Sequence, residues 1–255
     1  MRWSSPHLSM TGVALVFLLC WLPFSQAVAQ QQPSTPRLSP APAPNASPSP
    51  SAETGKPAEP EFFVLIDPSH GGEDRGAVLA PKFNEKDVTL SLARVLRKEL
   101  EERGIAARLL RDSDISVGLN HRAELCNQQR PGIYIALHAG TPGQGVRVYT
   151  PLLPSKQPPV GTFLPWDDAQ AGSLERSSAI AKAVTRELAK RDLKATDFQA
   201  FLRPLNNIIG PAIAVELAVD RANVRSLEDP KMQTSVASAI ASGIAQTRIR
   251  AGGHK

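Results

Sequence analysis

Three short apolar runs constrain the fold more than any other feature of this sequence. They cover residues 62–66, 133–137 and 212–215. Unbroken runs of this length are typical of strands that are buried on both faces of a sheet. Longer stretches with helical periodicity lie between them. Strands that alternate with amphipathic helices predict an α/β layered domain with a largely parallel central sheet flanked by helices.

The clearest helical pattern follows Asp87, which we expect to cap a helix that ends at Gly104. Five apolar side chains fall on one face of this helix: Val88, Leu92, Val95, Leu96 and Leu100. Other patterns predict helices over 117–129, 173–191 and 232–250, and strands over 105–110 and 145–150. The Pro- and Gly-containing segment 151–172 predicts a surface loop beside the sheet.

Residues 1–29 have the pattern of a signal peptide. Arg2 precedes an apolar stretch over 10–24, and Ala27 and Ala29 form a small-x-small cleavage pattern. We expect cleavage after Ala29 and an exported protein, periplasmic or secreted. The alternative is a retained membrane anchor, but the apolar stretch is shorter than the roughly 20 residues of a spanning helix.

Residues 30–61 form a tract rich in Pro, Ala and Ser with almost no large apolar side chains. Ordering such a tract costs conformational entropy, and it buries little apolar surface in return. We therefore predict a disordered linker that precedes one domain over residues 62–255.

Charge and cysteine content exclude several classes of protein. The formal net charge is +5, without a dense Lys/Arg run, which fits an anionic polymer but argues against a nucleic-acid partner. Two cysteines, Cys20 and Cys126, are too few for a disulfide scaffold or a thiolate metal cage. Cys126 is expected to be a buried helix residue. Histidines and carboxylates must therefore hold any metal ion.

Residues suited to catalysis follow each of the three apolar strands. The first strand leads to His70, the second ends at His138 and the third ends at Glu216. Ligands collect at the carboxyl ends of the strands in an open parallel sheet, so we expect these side chains to share one edge. His121 lies among polar helix residues and is expected at the surface.

A carboxylate ligand is also available near that edge. Glu85 precedes the Asp87 helix and would point inward if the helix began there. The alternative is that Glu85 is only a first-turn residue favoured by the helix dipole. Two imidazoles and one carboxylate with an open fourth position are a ligand set for catalytic zinc.

Five ordered sequence blocks resemble the zinc-dependent N-acetylmuramoyl-L-alanine amidases of type 3, which are cell-wall hydrolases. The resemblance spans residues 62–250 and rests on DPSHGGEDRGA (67–77), NEKDV (84–88), LLRDSD (109–114), IALHA (135–139) and PAIAVEL (211–217). It implies that His70, Glu85 and His138 bind zinc (Zn2+) and that Glu216 is the catalytic carboxylate. Structural roles are expected for Leu119, Arg122 and Asn127.

The resemblance also implies a substrate and a reaction. The substrate would be peptidoglycan, cleaved at the amide between N-acetylmuramic acid and L-alanine, with an activator protein as a possible partner. Bound zinc lowers the pKa of a water molecule to about 7. Glu216 would take the proton from that water and pass it to the departing amine. Two alternatives stay open: another zinc peptidase or deacetylase on a similar sheet, and a non-catalytic peptidoglycan-binding module.

Several positions depart from the family pattern. The family usually has Gly at Ser69, Asn at Gly140, and Gly and an aromatic residue at Ala218 and Val219. None of these departures removes a ligand, so we expect them to alter the substrate groove.

Five carboxylates have roles that the sequence leaves open. Asp67 and Asp74 either orient ligand imidazoles or hold the turn after the first strand. Asp167, Asp168 or Glu175 could block the zinc, but a solvated loop is the favoured interpretation.

Overall fold

Residues 62–154, 164–220 and 222–252 are described by a computed structural model. Their strands are β1 (Phe63–Pro68), β2 (Val78–Ala80), β3 (Phe83–Asn84), β4 (Ala106–Leu109), β5 (Ile133–Pro142), β6 (Val146–Pro151), β7 (Ala195–Ala200) and β8 (Ala212–Val219). Their helices are α1 (Glu85–Glu101), α2 (Leu119–Gln129), α3 (Leu174–Ala189) and α4 (Pro230–Gly252). Short 3₁₀ helices cover Trp166–Gly172, Leu205–Asn207 and Val224–Glu228.

The central sheet has six strands in the order β4-β1-β5-β8-β6-β7. The first four of these are mutually parallel. Strand β6 is antiparallel to β8, and β7 is parallel to β6. The predicted α/β fold with a largely parallel sheet is therefore confirmed, and the three apolar runs form β1, β5 and β8.

Both faces of the sheet are covered by apolar side chains. Alternate residues of β1 point to opposite faces. Val64 and Ile66 join the larger core with α1, α3 and α4, whereas Phe63 and Leu65 join a smaller core with α2. Burial on both faces explains why the three central strands read as continuous apolar runs.

Two local predictions were wrong. Asp87 does not cap α1, because the extended backbone of Asn84 (φ −120°, ψ 156°) occupies the N-cap position and Glu85 is the first helical residue. Segment 151–172, predicted as a surface loop, contains a 3₁₀ helix over Trp166–Gly172 among its described residues. Its 3₁₀ helix buries Gln170, whose amide donates to the carbonyl oxygen of Ile208 at 2.7 Å.

The remaining regional predictions have mixed outcomes. The predicted signal peptide and linker lie outside the described residues. Within the described ranges, no helix has the length and hydropathy needed to cross a bilayer. His121 is exposed, as expected, and Cys126 is buried in α2, where burial raises the pKa of its thiol to about 12.

Candidate metal centre

Three side chains that are distant in sequence meet at the carboxyl edge of the sheet. His70 follows β1, Glu85 opens α1 and His138 lies in β5. Each offers one ligand atom, and these atoms lie within 4.8 Å of one another. Glu85 Oε1 is 3.2 Å from His70 Nε2 and 3.0 Å from His138 Nδ1. One carboxylate oxygen therefore faces both imidazoles.

The sheet and a tight loop bring these residues together. Strands β1 and β5 are parallel neighbours, so their carboxyl ends place His70 and His138 side by side. His70 has a left-handed backbone with φ 64°. Gly76, at φ 63°, leaves no room for a side chain, because an added Cβ would lie 2.6 Å from the His70 ring and 2.7 Å from Glu85 Oε2.

Two buried arginines hold the backbone of the loop that carries His70. Arg111 donates from Nε to the Pro68 carbonyl at 2.8 Å and from Nη2 to the Ser69 carbonyl at 3.1 Å. Arg122 donates from Nη2 to the His70 carbonyl at 2.7 Å, and its Nη1 pairs with the buried Asp67 carboxylate. These contacts fix the carbonyls of residues 68–70.

The electrostatics of the centre favour an ionised Glu85. Burial alone would raise the pKa of its carboxyl, but hydrogen bonds from His138, His70 and the Ala77 N–H outweigh burial and hold this pKa well below its usual range. The hydrogen bond with Glu85 raises the pKa of His70, against burial, which lowers it. A buried anion between two imidazoles is a favourable place for a cation.

The outward-facing nitrogens of both rings also have partners. His70 Nδ1 lies 2.9 Å from the Asp74 carboxylate, and His138 Nε2 lies 2.9 Å from the Ser69 hydroxyl. Asp74 thus orients an imidazole, which was one of its two predicted roles. Asp67 instead contacts Arg122 and the Tyr134 hydroxyl.

Glu216 lies beside the group without belonging to it. It is opposite His138 in the β5–β8 register, so both side chains occupy one face of the sheet. Glu216 Oε1 accepts hydrogen bonds from the backbone N–H of Thr141 at 2.9 Å and from its hydroxyl. Oε2 accepts the Tyr149 hydroxyl at 2.9 Å, with Arg147 Nη1 at 3.8 Å.

The imidazoles open onto a cleft of about 310 Å³. Exposed Leu119 lines this cleft, so its predicted structural role is wrong. Arg122 and Asn127 do have structural contacts. Arg122 pairs with Asp67 and donates to the His70 carbonyl, and the Asn127 side-chain oxygen accepts the Ile209 N–H at 2.9 Å. Arg203, also in the lining, pairs with Asp167 at 3.1 Å.

Across the described part of the chain, no fourth His, Cys, Asp or Glu joins the group. Asp167, Asp168 and Glu175 therefore do not block it as ligands. The donor set fits zinc, because two imidazole nitrogens and a carboxylate converge and leave a coordination position open. The assignments of His70, Glu85 and His138 as ligands, and of Glu216 as the base, stay predictions.

The sequence did not predict which side chains contact His138 and Glu216. Ser69 contacts His138, while Thr141 and Tyr149 contact Glu216. Ser69 was noted only as a departure from the family pattern within the DPSHGGEDRGA block, and no motif marks Thr141 or Tyr149. The remaining signal was position: Ser69 precedes His70, and Thr141 follows His138 by three residues.

The fold and the three converging side chains define a class, an α/β domain with a candidate two-histidine, one-glutamate metal centre at the edge of its sheet. Residues 64–246 match the family model described as N-acetylmuramoyl-L-alanine amidase. The chain belongs to this family.

Individual relatives agree with that assignment. The chain is 28% identical over 205 residues to the germination-specific N-acetylmuramoyl-L-alanine amidase of Bacillus subtilis, covering 71% of this chain and 78% of that protein. It is 39% identical over 79 residues to AmiC of Escherichia coli O6:H1, covering 31% of this chain but only 19% of AmiC.

The fold matches the catalytic domain of the amidase CwlV from Bacillus (Paenibacillus) polymyxa var. colistinus. The TM-score is 0.60 at 21% identity, covering 74% of this chain and 98% of that one. This likeness supports the fold assignment.

Proposed function

We propose that the chain is a zinc-dependent N-acetylmuramoyl-L-alanine amidase, which hydrolyses the amide between N-acetylmuramic acid and L-alanine in peptidoglycan. The observation that carries this proposal is the convergence of His70, Glu85 and His138 within 4.8 Å, in a member of this family. His70 Nε2, His138 Nδ1 and a Glu85 oxygen would hold the ion.

When bound, zinc supplies a Lewis acid that lowers the pKa of water to about 7 and polarises a carbonyl. The chain supplies the proton carrier, for which we propose Glu216. Its Oε1 already accepts two hydrogen bonds from Thr141, whereas Oε2 accepts one from Tyr149. Oε2 therefore has the greater remaining capacity to take a proton from the attacking water and deliver it to the departing amine.

The site of action follows from the substrate. Peptidoglycan lies outside the cytoplasmic membrane, so the enzyme acts there, in the periplasm or after secretion. Its net charge of +5 favours contact with an anionic wall polymer. Because His70 and His138 line an open cleft, an activator protein would act by recruiting the enzyme to the wall.

Metal analysis combined with muropeptide digestion tests the proposal. The purified mature chain should contain about one zinc ion per molecule, and mass spectrometry should detect intact stem peptides released from muropeptides. His138→Ala should lose zinc and activity together. Glu216→Gln should keep zinc and lose about 10²- to 10⁴-fold in kcat, the usual contribution of a general base.

Other outcomes would select the alternatives. Cleavage within the peptide, or loss of acetyl groups alone, would indicate a peptidase or deacetylase. Wall binding without any hydrolysis would indicate a binding module. Full hydrolysis by Glu216→Gln would contradict the assignment of the base.

A further inference from the structure

We infer that Ser69 is a positioning residue of the metal centre: its hydroxyl fixes the His138 ring so that Nδ1, and not Nε2, is the metal ligand. The inference deepens the proposed function and rests on its metal site. Ser69 is not one of the three candidate ligands, and its proposed action on the site passes through His138.

The geometry assigns opposite duties to the two ring nitrogens of His138. Nδ1 lies 3.0 Å from Glu85 Oε1, on the side where the three candidate ligands converge. Nε2 lies 2.9 Å from the Ser69 hydroxyl, on the other side of the ring. His70 is oriented the other way round, with Nε2 toward Glu85 and Nδ1 toward Asp74. The two imidazoles would therefore bind one ion through different nitrogens.

Ser69 is held rigidly enough to act as a fixed reference. It is 6% exposed. Its backbone N–H donates to the Leu137 carbonyl at 3.2 Å, next to His138 in β5. Its carbonyl accepts hydrogen bonds from Thr89 Oγ1 at 3.0 Å and Arg111 Nη2 at 3.1 Å. Because both backbone groups are bonded, little entropy is lost when the hydroxyl engages His138.

A hydroxyl suits this position because it both donates and accepts hydrogen bonds. When Nδ1 binds a metal ion, the ring proton is on Nε2, and the Ser69 hydroxyl accepts a hydrogen bond from that N–H. When the proton is instead on Nδ1, Nδ1 donates a hydrogen bond to Glu85, and the Ser69 hydroxyl donates one to Nε2. Only the hydroxyl hydrogen rotates between these arrangements, so the ring orientation is the same in both.

Asp74, whose carboxylate contacts the other histidine, His70, behaves differently from Ser69. An ionised carboxylate only accepts, so Asp74 keeps the proton of His70 on Nδ1 at all times. The Asp74 carboxylate also accepts the Gly76 N–H at 3.1 Å, which fixes it beside the His70 ring. Asp74 is therefore the matched comparison for Ser69, because it orients the partner ligand by a charged contact.

Zinc affinity of the full mature chain is the first test, measured by competition with a chromogenic chelator. Partners of ligand histidines typically contribute 10- to 100-fold to metal affinity. We expect Ser69→Ala to weaken zinc binding about tenfold and Ser69→Thr, which keeps the hydroxyl, to stay within about threefold of the wild type. Thermal melting of each variant without metal identifies any general loss of folding.

The second test reads the ligand atom directly. In protein labelled with ¹⁵N-histidine and loaded with ¹¹³Cd, we expect a one-bond coupling from cadmium to His138 Nδ1, and a slowly exchanging proton on Nε2. Ser69→Ala should accelerate exchange of that proton, whereas Asp74→Asn should leave the His138 signals unchanged and alter those of His70. A folded Ser69→Ala variant with wild-type affinity and unchanged exchange, or a coupling to His138 Nε2, would overturn the inference.

Failure of the proposed function gives a different result. If the wild type binds neither zinc nor cadmium, or if His138→Ala binds them equally well, the metal site itself is wrong. If the wild type binds and Ser69→Ala matches it in both affinity and proton exchange, the metal site stands and only the role of Ser69 falls.

Discussion

The edge of the sheet that carries the candidate metal centre and the packed pair of helices α3 and α4 are stabilised by different means. At the edge, buried arginines donate to backbone carbonyls of the loop after β1. Between α3 and α4, small and apolar residues allow close helix contact: Gly243 lies directly against the backbone of Val184. The first region is held mainly by buried charge, and the second mainly by buried apolar surface.

The difference bears on what each region contributes. Burying a charge costs several kcal/mol of desolvation, which a partner only partly returns. Apolar burial contributes about 25 cal/mol per Å² without fixing the position of any polar atom. We therefore expect substitutions at the edge to change stability and metal binding together, and substitutions between the helices to change stability alone.

Loss of a buried arginine should have the largest effect. Arg122→Met leaves the Asp67 carboxylate, which is fully buried, without its cationic partner. Removing one member of a buried ion pair typically costs about 3–5 kcal/mol. Because Arg122 also donates to the His70 carbonyl, zinc affinity should fall as well. Urea unfolding and chelator competition measure the two effects.

The double variant Asp67→Asn, Arg122→Met controls for the unpaired charge. Replacing the carboxylate removes the buried anion, so we expect this double variant to recover part of the unfolding free energy lost in Arg122→Met. A loss below about 1 kcal/mol in the single variant would show that the pair is not a structural element of the edge, since unpaired buried charges cost more than that.

A substitution between the helices should have an intermediate effect on stability. The sign of the change distinguishes a crowded helix contact from an open one. An added Cβ at Gly243 would lie 2.8 Å from both Cα and N of Val184, which belong to backbone and cannot rotate away. Gly243→Ala should therefore destabilise by about 1–3 kcal/mol, as overpacking does. At an unobstructed helix position the same change stabilises by about 1 kcal/mol.

Thr234→Ala, at an exposed position of the same helix, is the matched control and should be neutral or slightly stabilising. Zinc affinity should stay within twofold in both variants. A stabilised Gly243→Ala protein would mean that α3 and α4 do not pack this closely, and a loss of zinc binding would show that the two regions are coupled.

The same contrast explains which features the sequence could predict. Strands β1, β5 and β8 were predictable because burial on both faces leaves continuous apolar runs. Strand β7 was not, because four of its six residues are exposed and its sequence, ATDFQA, carries no apolar alternation. The hairpin of β2 and β3 is too short, at three and two residues, to show any period.

Some residues of the candidate site could be predicted from the sequence, and others could not. His70, His138 and Glu216 stood out because each comes directly after, or within a few residues of, an apolar run. Periodicity alone left Glu85 undecided between a metal ligand and a first-turn residue favoured by the helix dipole. The structure places the helix start at Glu85 itself. Side chains that act through a neighbouring strand, such as Thr141 and Tyr149, have no local pattern from which they could be found. Ser69 stood out as a departure from the family pattern, but its contact with His138 could not be predicted from the sequence.

The smallest predicted effect concerns a charged contact between the helices. Glu187, buried in α3, accepts hydrogen bonds from Lys190 at 2.6 Å, Arg191 at 3.0 Å and, across the interface, Gln246 of α4 at 2.7 Å. The hydrogen bond from Lys190, followed by those from Gln246 and Arg191, lowers the pKa of Glu187 to about 2.

Glu187→Gln should therefore show a pH-dependent loss of stability. Because the pKa is lower in the folded than in the unfolded protein, the contribution of Glu187 is complete above about pH 4.5 and declines as the pH falls toward about 2. At pH 7 the variant should lose about 1 kcal/mol, and the difference from the wild type should shrink below pH 4.5. Exposed Glu175→Gln, on the same helix, should change stability by less than about 0.5 kcal/mol at pH 7. A constant difference between the Glu187 variant and the wild type from pH 7 to pH 3 would show that packing, and not charge, gives Glu187 its effect between the helices.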